Sequence, residues 1–183
     1  MMLETSQTRL YFAYGFNLNL QKMGQTVTKP RVLGVARLAN HKIGFYGHSA
    51  IWDGAVETVV PDNQSEVWGI LYQLDAYAWD QLDNFADARL DGAGRYFHYP
   101  VAVFDGQNML REAFLYKKSQ LGAPKRPSAE YLDIIIQGAQ EQGLPESYIA
   151  TLRAIPAKPA AYPVPRQTKR DRKPSGGCDG CSM

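Results

Sequence analysis

A short strand that runs into a glycine turn is the part of this sequence best suited to bind a small ligand. Because glycine has no side chain, a ligand can approach the backbone amides of such a turn, and successive amides can surround an anion. We therefore predict an anion-binding turn at Gly15-Phe16-Asn17. The predicted ligand-binding residues are those of the whole segment: Tyr11, Phe12, Ala13, Tyr14, Gly15, Phe16, Asn17 and Leu18.

The other residues with nucleophilic or metal-binding side chains form no clear constellation. His41, His48 and His98 lack the spacing of metal ligands, and no motif pairs them with a serine or cysteine nucleophile. Cys178 and Cys181 form a C-x-x-C pair, which can chelate a metal or cycle as a dithiol, although one pair supplies only two ligands. We therefore predict no metal site. For the cysteine pair alone, three alternatives stay open: metal binding, redox chemistry and docking of a protein partner.

Composition and charge narrow the class of protein. Hydrophobic residues make up 45% and charged residues 21% of the 183 residues, which is typical of one globular domain. No apolar run approaches the roughly 20 residues that span a bilayer, and nothing marks the chain for export, so we expect a cytoplasmic protein that does not bind membranes. From Ala157 onward the chain carries +4, and the rest carries −2. A mildly acidic domain argues against binding of nucleic acid.

The elements that position the glycine turn follow from periodicity and turn residues. We predict strands at 8–13, 31–38, 41–46, 56–60, 66–74, 96–104 and 109–116, and helices at 76–85, 129–142 and 145–155. Many connections are too short for a crossover helix, which favours a mixed or antiparallel sheet, curled into a barrel. The domain is predicted at 8–156. Residues 157–183 are predicted to form a flexible, basic, proline-rich tail that could dock a protein partner.

Three separated stretches carry recognisable motifs: residues 11–18, residues 67–72 with Leu82-Asp83, and residues 127–155. Together they resemble one family, the γ-glutamylcyclotransferase-like (AIG2-like) proteins. Residues 11–18 resemble the family motif YFAYGSNL, and residues 67–72 with Leu82-Asp83 resemble its VWGV strand and the LD-x-x-E-G end of its helix. Residues 127–155 resemble its C-terminal helical block. The resemblance implies an α+β fold, in which a small mixed β-barrel or sheet is flanked by helices and the glycine turn lies at the mouth of the pocket.

The resemblance also implies a reaction. In that family the α-amino group of a γ-glutamyl amide attacks its own γ-carbonyl, which gives 5-oxoproline and a free amine. Because the attack is intramolecular, holding the glutamyl chain in a curled conformation supplies much of the rate acceleration. The family reaction requires no metal or organic cofactor. A small γ-glutamyl substrate is therefore expected, with the turn stabilising the oxyanion and the hydroxyl of Tyr131 binding a substrate carboxylate.

Two positions depart from the family motif. Phe16 stands where the family has serine, and it is either a packing residue or one that sets substrate choice. Ala86 stands where the family has the glutamate that serves as general base. In the loop that follows, which is longer than in the family, Asp87 is the predicted replacement for this base, and Asp91 is a second candidate from the same loop. The alternative is Glu57, which lies on a strand at a position where the family has a small residue. Otherwise the chain is a catalytically silent member that binds a small ligand or a protein.

Overall fold

Five strands and four helices make up the part of the chain that the computed structural model describes, residues 8–89 and 91–166. The strands are β1 (Arg9–Ala13), β2 (Arg31–Ser49), β3 (Gly54–Leu74), β4 (Tyr96–Asp105) and β5 (Leu110–Lys118). The helices are α1 (Leu20–Thr26), α2 (Ala76–Ala86), α3 (Ala129–Glu141) and α4 (Glu146–Arg153). A single 3₁₀ turn, Phe16–Leu18, follows the glycine at the end of β1.

The strands close into a barrel in the order β1, β3, β2, β4, β5. Neighbouring strands are antiparallel except where the barrel closes, because there β1 and β5 run parallel, with Tyr11 opposite Phe114. The expected α+β fold, a mixed barrel flanked by helices, is therefore confirmed. Since β1 is hydrogen-bonded on both sides, the turn that follows it starts from a fixed position.

Two strands are longer than the sequence pattern predicted. The predicted strands 31–38 and 41–46 both belong to β2, and 56–60 and 66–74 both belong to β3. Asn40, whose φ is 59°, is the single residue of β2 between the pairs Ala39–Glu66 and His41–Pro61, and β2 continues through it. The extra residues belong to β3, where residues 62–65 lie opposite Asn40 and the amide of Gln64 donates to the carboxylate of Asp62 (3.1 Å), so the proline-containing segment forms a bulge within the strand.

Helix α1 was not predicted, whereas the other three helices lie close to their predicted positions. It begins after Asn19, whose side chain accepts a hydrogen bond from the amide of Lys22 (3.0 Å). The helix has only seven residues and contains Gly24, so neither its length nor its composition distinguishes it from a loop. This helix follows the glycine turn directly in the chain.

Helix α3 holds the glycine turn in place. Ser128 caps this helix, because its hydroxyl accepts a hydrogen bond from the amide of Tyr131. At Gly138 the helix passes so close to the turn that an added Cβ would lie 2.4 Å from the backbone nitrogen of Asn19. The same helix carries Tyr131, so this contact also fixes the position of that side chain relative to the turn.

The first ten residues of the predicted tail, 157–166, contact the domain. The hydrogen bonds that hold them include those from the Ala129 amide to the Lys158 carbonyl (2.8 Å), from the Ala161 amide to the Asp53 carboxylate (2.7 Å) and from the Arg166 amide to the Ile51 carbonyl (2.8 Å). The rest of the tail, with Cys178 and Cys181, lies outside the described residues. Within 8–89 and 91–166, no helix has the length and apolar character needed to cross a bilayer.

Candidate functional site

A pocket of about 730 Å³ lies beside the glycine turn. Six of the predicted ligand-binding residues line it: Tyr11, Tyr14, Gly15, Phe16, Asn17 and Tyr131. Phe12, Ala13 and Leu18 do not line it, because their side chains are fully buried in the core. These three residues anchor the segment in the hydrophobic core, and we no longer expect them to contact a ligand.

Glu57 projects from β3 into this pocket and meets the glycine turn. Its Oε1 accepts a hydrogen bond from the backbone amide of Phe16 (2.8 Å), and its Oε2 accepts one from the hydroxyl of Tyr131 (2.5 Å). The residue is only 9% exposed. The alternative carboxylate of the sequence prediction is thus a buried group, held by donors from the turn and from α3.

Gly15 is what allows Glu57 to come so close. A Cβ added at position 15 would lie 2.1 Å from Oε1 of Glu57, well inside any permitted contact. The turn was predicted to bind an anion from a ligand, and here the amide of Phe16 binds an anion supplied by the protein itself. The absence of a side chain at Gly15 therefore serves to seat a carboxylate on the turn.

The tyrosines around Glu57 are held in their protonated form. Burial first, and then the charge of Glu57, raise the pKa of the Tyr131 hydroxyl well above its ordinary value. The same two causes, in the same order, raise the pKa of Tyr14 and of Tyr96. Tyr14 donates to the carbonyl of Tyr116 (2.6 Å), and Tyr96 donates to the carbonyl of Glu57 (3.3 Å). These phenols therefore act as hydrogen-bond donors.

Asn17 has one side-chain polar atom without a hydrogen-bond partner among the described residues. Its side-chain nitrogen, Nδ2, donates a hydrogen bond to the hydroxyl of Tyr11 (2.9 Å), and its backbone carbonyl accepts one from the hydroxyl of Tyr72 (3.1 Å). Its side-chain oxygen is buried and has no partner among the described residues. Because a buried acceptor without a donor is costly, this oxygen is suited to accept a hydrogen bond from a ligand.

Asp87, the predicted base, does not line the pocket. It ends α2 in a left-handed conformation, with a φ of 51°, and its carboxylate accepts a hydrogen bond from the amide of Arg95 (3.4 Å). The guanidinium groups of Arg95 and Arg89 lie 3.5 Å and 3.8 Å from it. Asp91 caps its own loop by accepting from the amide of Ala93. The loop aspartates are thus used in local structure.

Asp83, near the end of α2, is a hydrogen-bond partner of two side chains. Its Oδ1 accepts from the hydroxyl of Tyr116 (2.5 Å), and it lies 2.6 Å from Nε2 of His98. Burial, and next the hydrogen bond to Asp83, raise the pKa of Tyr116 far above its ordinary value. Since Tyr116 lines the pocket, this contact fixes one more part of the wall.

Among the residues that the structure describes, one carboxylate, that of Glu57, and four basic side chains line the pocket: Lys22, Arg95, Lys118 and Arg166. Burial, and next the nearby charge of Arg95, lower the pKa of Lys118. No ion pair of Lys118 is found within residues 8–89 and 91–166. A pocket with this balance of charge favours a ligand that carries one or more carboxylates.

The sequence did not indicate Arg95 or Lys118 as site residues. They come from the start of β4 and the end of β5, and only the pairing of these strands brings them together. Their spacing along the chain carries no motif. In the described ranges, His, Cys, Asp and Glu side chains form no group of three or more that could bind a metal ion.

Comparisons with known proteins identify similar chains. Residues 66–152 match the model of the AIG2-like family. The chain is 31% identical over 152 residues to the gamma-glutamylcyclotransferase of Homo sapiens, which covers 80% of this chain and 78% of that protein. It is 29% identical over 156 residues to the gamma-glutamylcyclotransferase of Mus musculus, covering 83% and 81%. A solved structure of a gamma-glutamyl cyclotransferase superimposes with a TM-score of 0.79 at 28% identity, covering 86% of this chain and 94% of that one.

Proposed function

Because this chain belongs to the γ-glutamylcyclotransferase family, we propose that it cyclises a γ-glutamyl amide to 5-oxoproline, with the carboxylate of Glu57 as general base. One observation carries the proposal. Glu57 lies in the pocket, on the glycine turn of the family motif, and is buried among protonated tyrosines. A carboxylate in such a site is suited to move a proton.

Two positions of the pocket have exchanged their residue types relative to the family motif. Ala86 occupies the place of the motif glutamate at the end of α2, and Glu57 occupies a place on β3 where a small residue is usual. Both residues line the same pocket. The simplest interpretation is that the general base is now supplied from β3 instead of α2, at one unchanged substrate site.

The proposed reaction needs one group that accepts a proton and returns it. Glu57 takes a proton from the α-ammonium group of the substrate, and the freed nitrogen attacks the γ-carbonyl carbon. A carbon–nitrogen bond to the α-nitrogen forms while the bond to the leaving nitrogen breaks. Glu57 then gives this proton to the leaving nitrogen. The attacking nitrogen loses its second proton as the lactam forms, and this proton also passes to the released amine, so the products are 5-oxoproline and the protonated amine.

Groups around Glu57 supply the rest of the site. Tyr131 keeps the carboxylate oriented, and its raised pKa keeps its hydroxyl protonated over the working range of pH. The cations, with Lys118 and Arg95 foremost, bind the substrate carboxylate and stabilise the negative charge that develops on the γ-carbonyl oxygen.

Glu57→Gln tests the base, and Asp87→Asn is its matched control. Purified variants are incubated with γ-glutamyl amino acids and 5-oxoproline is measured. Glu57→Gln keeps the shape of the side chain and is expected to lower kcat by about 100-fold or more, the usual contribution of a positioned base. Asp87→Asn is expected to stay within about twofold of the parent. Loss of activity in Asp87→Asn alone would transfer the role to Asp87.

A double replacement tests the exchange of positions more directly. Glu57→Ala is expected to be inactive, and adding Ala86→Glu to it is expected to restore at least part of the activity, because the carboxylate returns to the position of the family motif. Ala86→Glu alone places two carboxylates in one pocket, so it serves as the control for the added charge. No recovery in a double variant that still folds would contradict the idea of one shared substrate site.

A binding module without catalysis is the second candidate. It is favoured by the fact that both oxygens of Glu57 already accept hydrogen bonds from the protein. A carboxylate has about four acceptor positions, however, so these bonds leave room for a substrate proton. If no γ-glutamyl compound yields 5-oxoproline while such compounds still raise the melting temperature, the protein is a ligand-binding member of the family.

A further inference from the structure

Four aromatic side chains form one wall of the pocket, which we call the aromatic wall: Phe16, Trp52, Phe85 and Tyr131. The ring of Phe16 is nearly parallel to that of Tyr131 (centroids 5.8 Å apart, 10°) and to that of Phe85 (5.9 Å, 22°). The ring of Trp52 lies 5.5 Å from Phe16 and 5.0 Å from Tyr131. The rings are therefore one contiguous apolar surface.

The aromatic wall leads from solvent to Glu57. At its outer end Phe85 is 52% exposed, although it is a large apolar residue. At its inner end Tyr131 is 5% exposed and donates its hydroxyl hydrogen to Glu57. Phe16 lies between them, and Ala86, next to Phe85 on α2, adds no charge to this side of the pocket.

The wall lies where the released amine of a substrate has to be. If Glu57 is the base, as the proposed function holds, the curled glutamyl half lies against Glu57 and the turn. The amine half, on the other side of the γ-carbonyl, must then extend toward solvent, and the wall is the surface that runs in that direction. Aromatic rings stack favourably on other aromatic rings, beyond the benefit of burying their area.

We propose that the aromatic wall is the subsite for the leaving amine, and that it selects γ-glutamyl amides of aromatic amino acids over those of small amino acids. This inference rests on the proposed function and names its substrate class. Phe16, which replaces the serine of the family motif, is then a residue that determines specificity. A small amine would leave the outer part of the wall uncovered.

The test compares γ-glutamylphenylalanine with γ-glutamylalanine, which carry the same carboxylates and differ by one ring. We expect kcat/KM to be about tenfold or more higher for the aromatic substrate, which is a moderate value for filling an apolar subsite. Phe85→Ala is expected to lower this ratio at least threefold, because the ring contact at the outer end of the wall is lost. Because Phe85 is exposed, its replacement does not empty the core.

Tyr77→Ala is the matched control, since Tyr77 lies on the same helix, is 67% exposed and is outside the pocket. It should leave the ratio unchanged. A ratio near one in the parent protein, or the same ratio in Phe85→Ala as in the parent, would overturn the inference while leaving the proposed function intact.

Absence of 5-oxoproline with both substrates would instead overturn the proposed function. The inference is then decided by binding, with dissociation constants of the same two compounds measured by calorimetry. A tenfold preference for γ-glutamylphenylalanine that weakens in Phe85→Ala would support the subsite. Equal or undetectable binding of the two compounds would overturn it.

Discussion

Replacing Gly15 by alanine should remove the carboxylate of Glu57 from its seat without changing any ionisable group. The added Cβ would lie 2.1 Å from Oε1, 2.4 Å from Cγ and 2.5 Å from Cδ of Glu57, so it would overlap with the carboxylate group and with the carbon that precedes it. Ordinary contact begins at 3.4 Å, and the oxygen must therefore move by more than 1 Å.

This movement has two measurable consequences. It breaks the hydrogen bonds of Glu57 to the Phe16 amide and the Tyr131 hydroxyl, now 2.8 Å and 2.5 Å long. Bonds to a buried charge contribute about 1.5 to 3 kcal/mol each, and part of this returns when the side chain finds new partners, so we expect the free energy of unfolding to fall by about 2 kcal/mol. A displacement of about 1 Å at a catalytic group should lower kcat by about 100-fold.

Gly24→Ala is the matched control for this prediction. Gly24 lies in α1, close in sequence, and an added Cβ there has nothing within 4 Å. Alanine in a helix should raise stability by up to about 1 kcal/mol and leave activity unchanged. Urea unfolding and 5-oxoproline formation are measured for both variants. Parent-like stability and activity in Gly15→Ala would refute the proposed role of the close contact.

Three further predictions concern the surroundings of the site. Tyr131→Phe removes one hydrogen-bond donor from Glu57 and should lower kcat about tenfold in steady-state kinetics, while circular dichroism shows an unchanged fold. An unchanged kcat would argue against the importance of this contact. Lys118→Gln should raise KM about tenfold at neutral pH. In the parent, KM should also rise at alkaline pH, because the lowered pKa of Lys118 means that its positive charge is lost earlier than for an ordinary lysine, and this rise should be absent in the variant. Gly138→Ala, whose Cβ would meet the Asn19 nitrogen, should destabilise the fold by about 1 to 3 kcal/mol in urea unfolding, and equal stability would show that α3 can shift freely.

The sequence was sufficient for the parts of the site that depend on local chain geometry. Tyr14 and Gly15 could be placed at a strand end because the strand and the turn are contiguous in the chain. Tyr131 could be placed on α3 because Ser128 is a clear N-cap. Both predictions depend on interactions across a few residues, where spacing and residue type carry most of the information.

The choice between Asp87 and Glu57 depended on long-range geometry. Alternation along β3 does not say which face is inside, and the bulge opposite Asn40 shifts the register of β3 against β2. The left-handed end of α2, which turns Asp87 toward Arg95, is equally invisible in composition. The family motif gave the position that had lost its carboxylate, and only the fold indicates which other carboxylate enters the pocket.

The contacts of residues 157–166 determine where the chain can be cut. Asp53 is only 8% exposed and accepts a hydrogen bond from the Ala161 amide, and Arg166 lines the pocket. Removing everything from Ala157 onward would expose this buried carboxylate and delete part of the pocket wall, so loss of function in such a shortened chain would say nothing about Cys178 and Cys181. A truncation that asks what the basic C-terminal segment does should end just after Arg166.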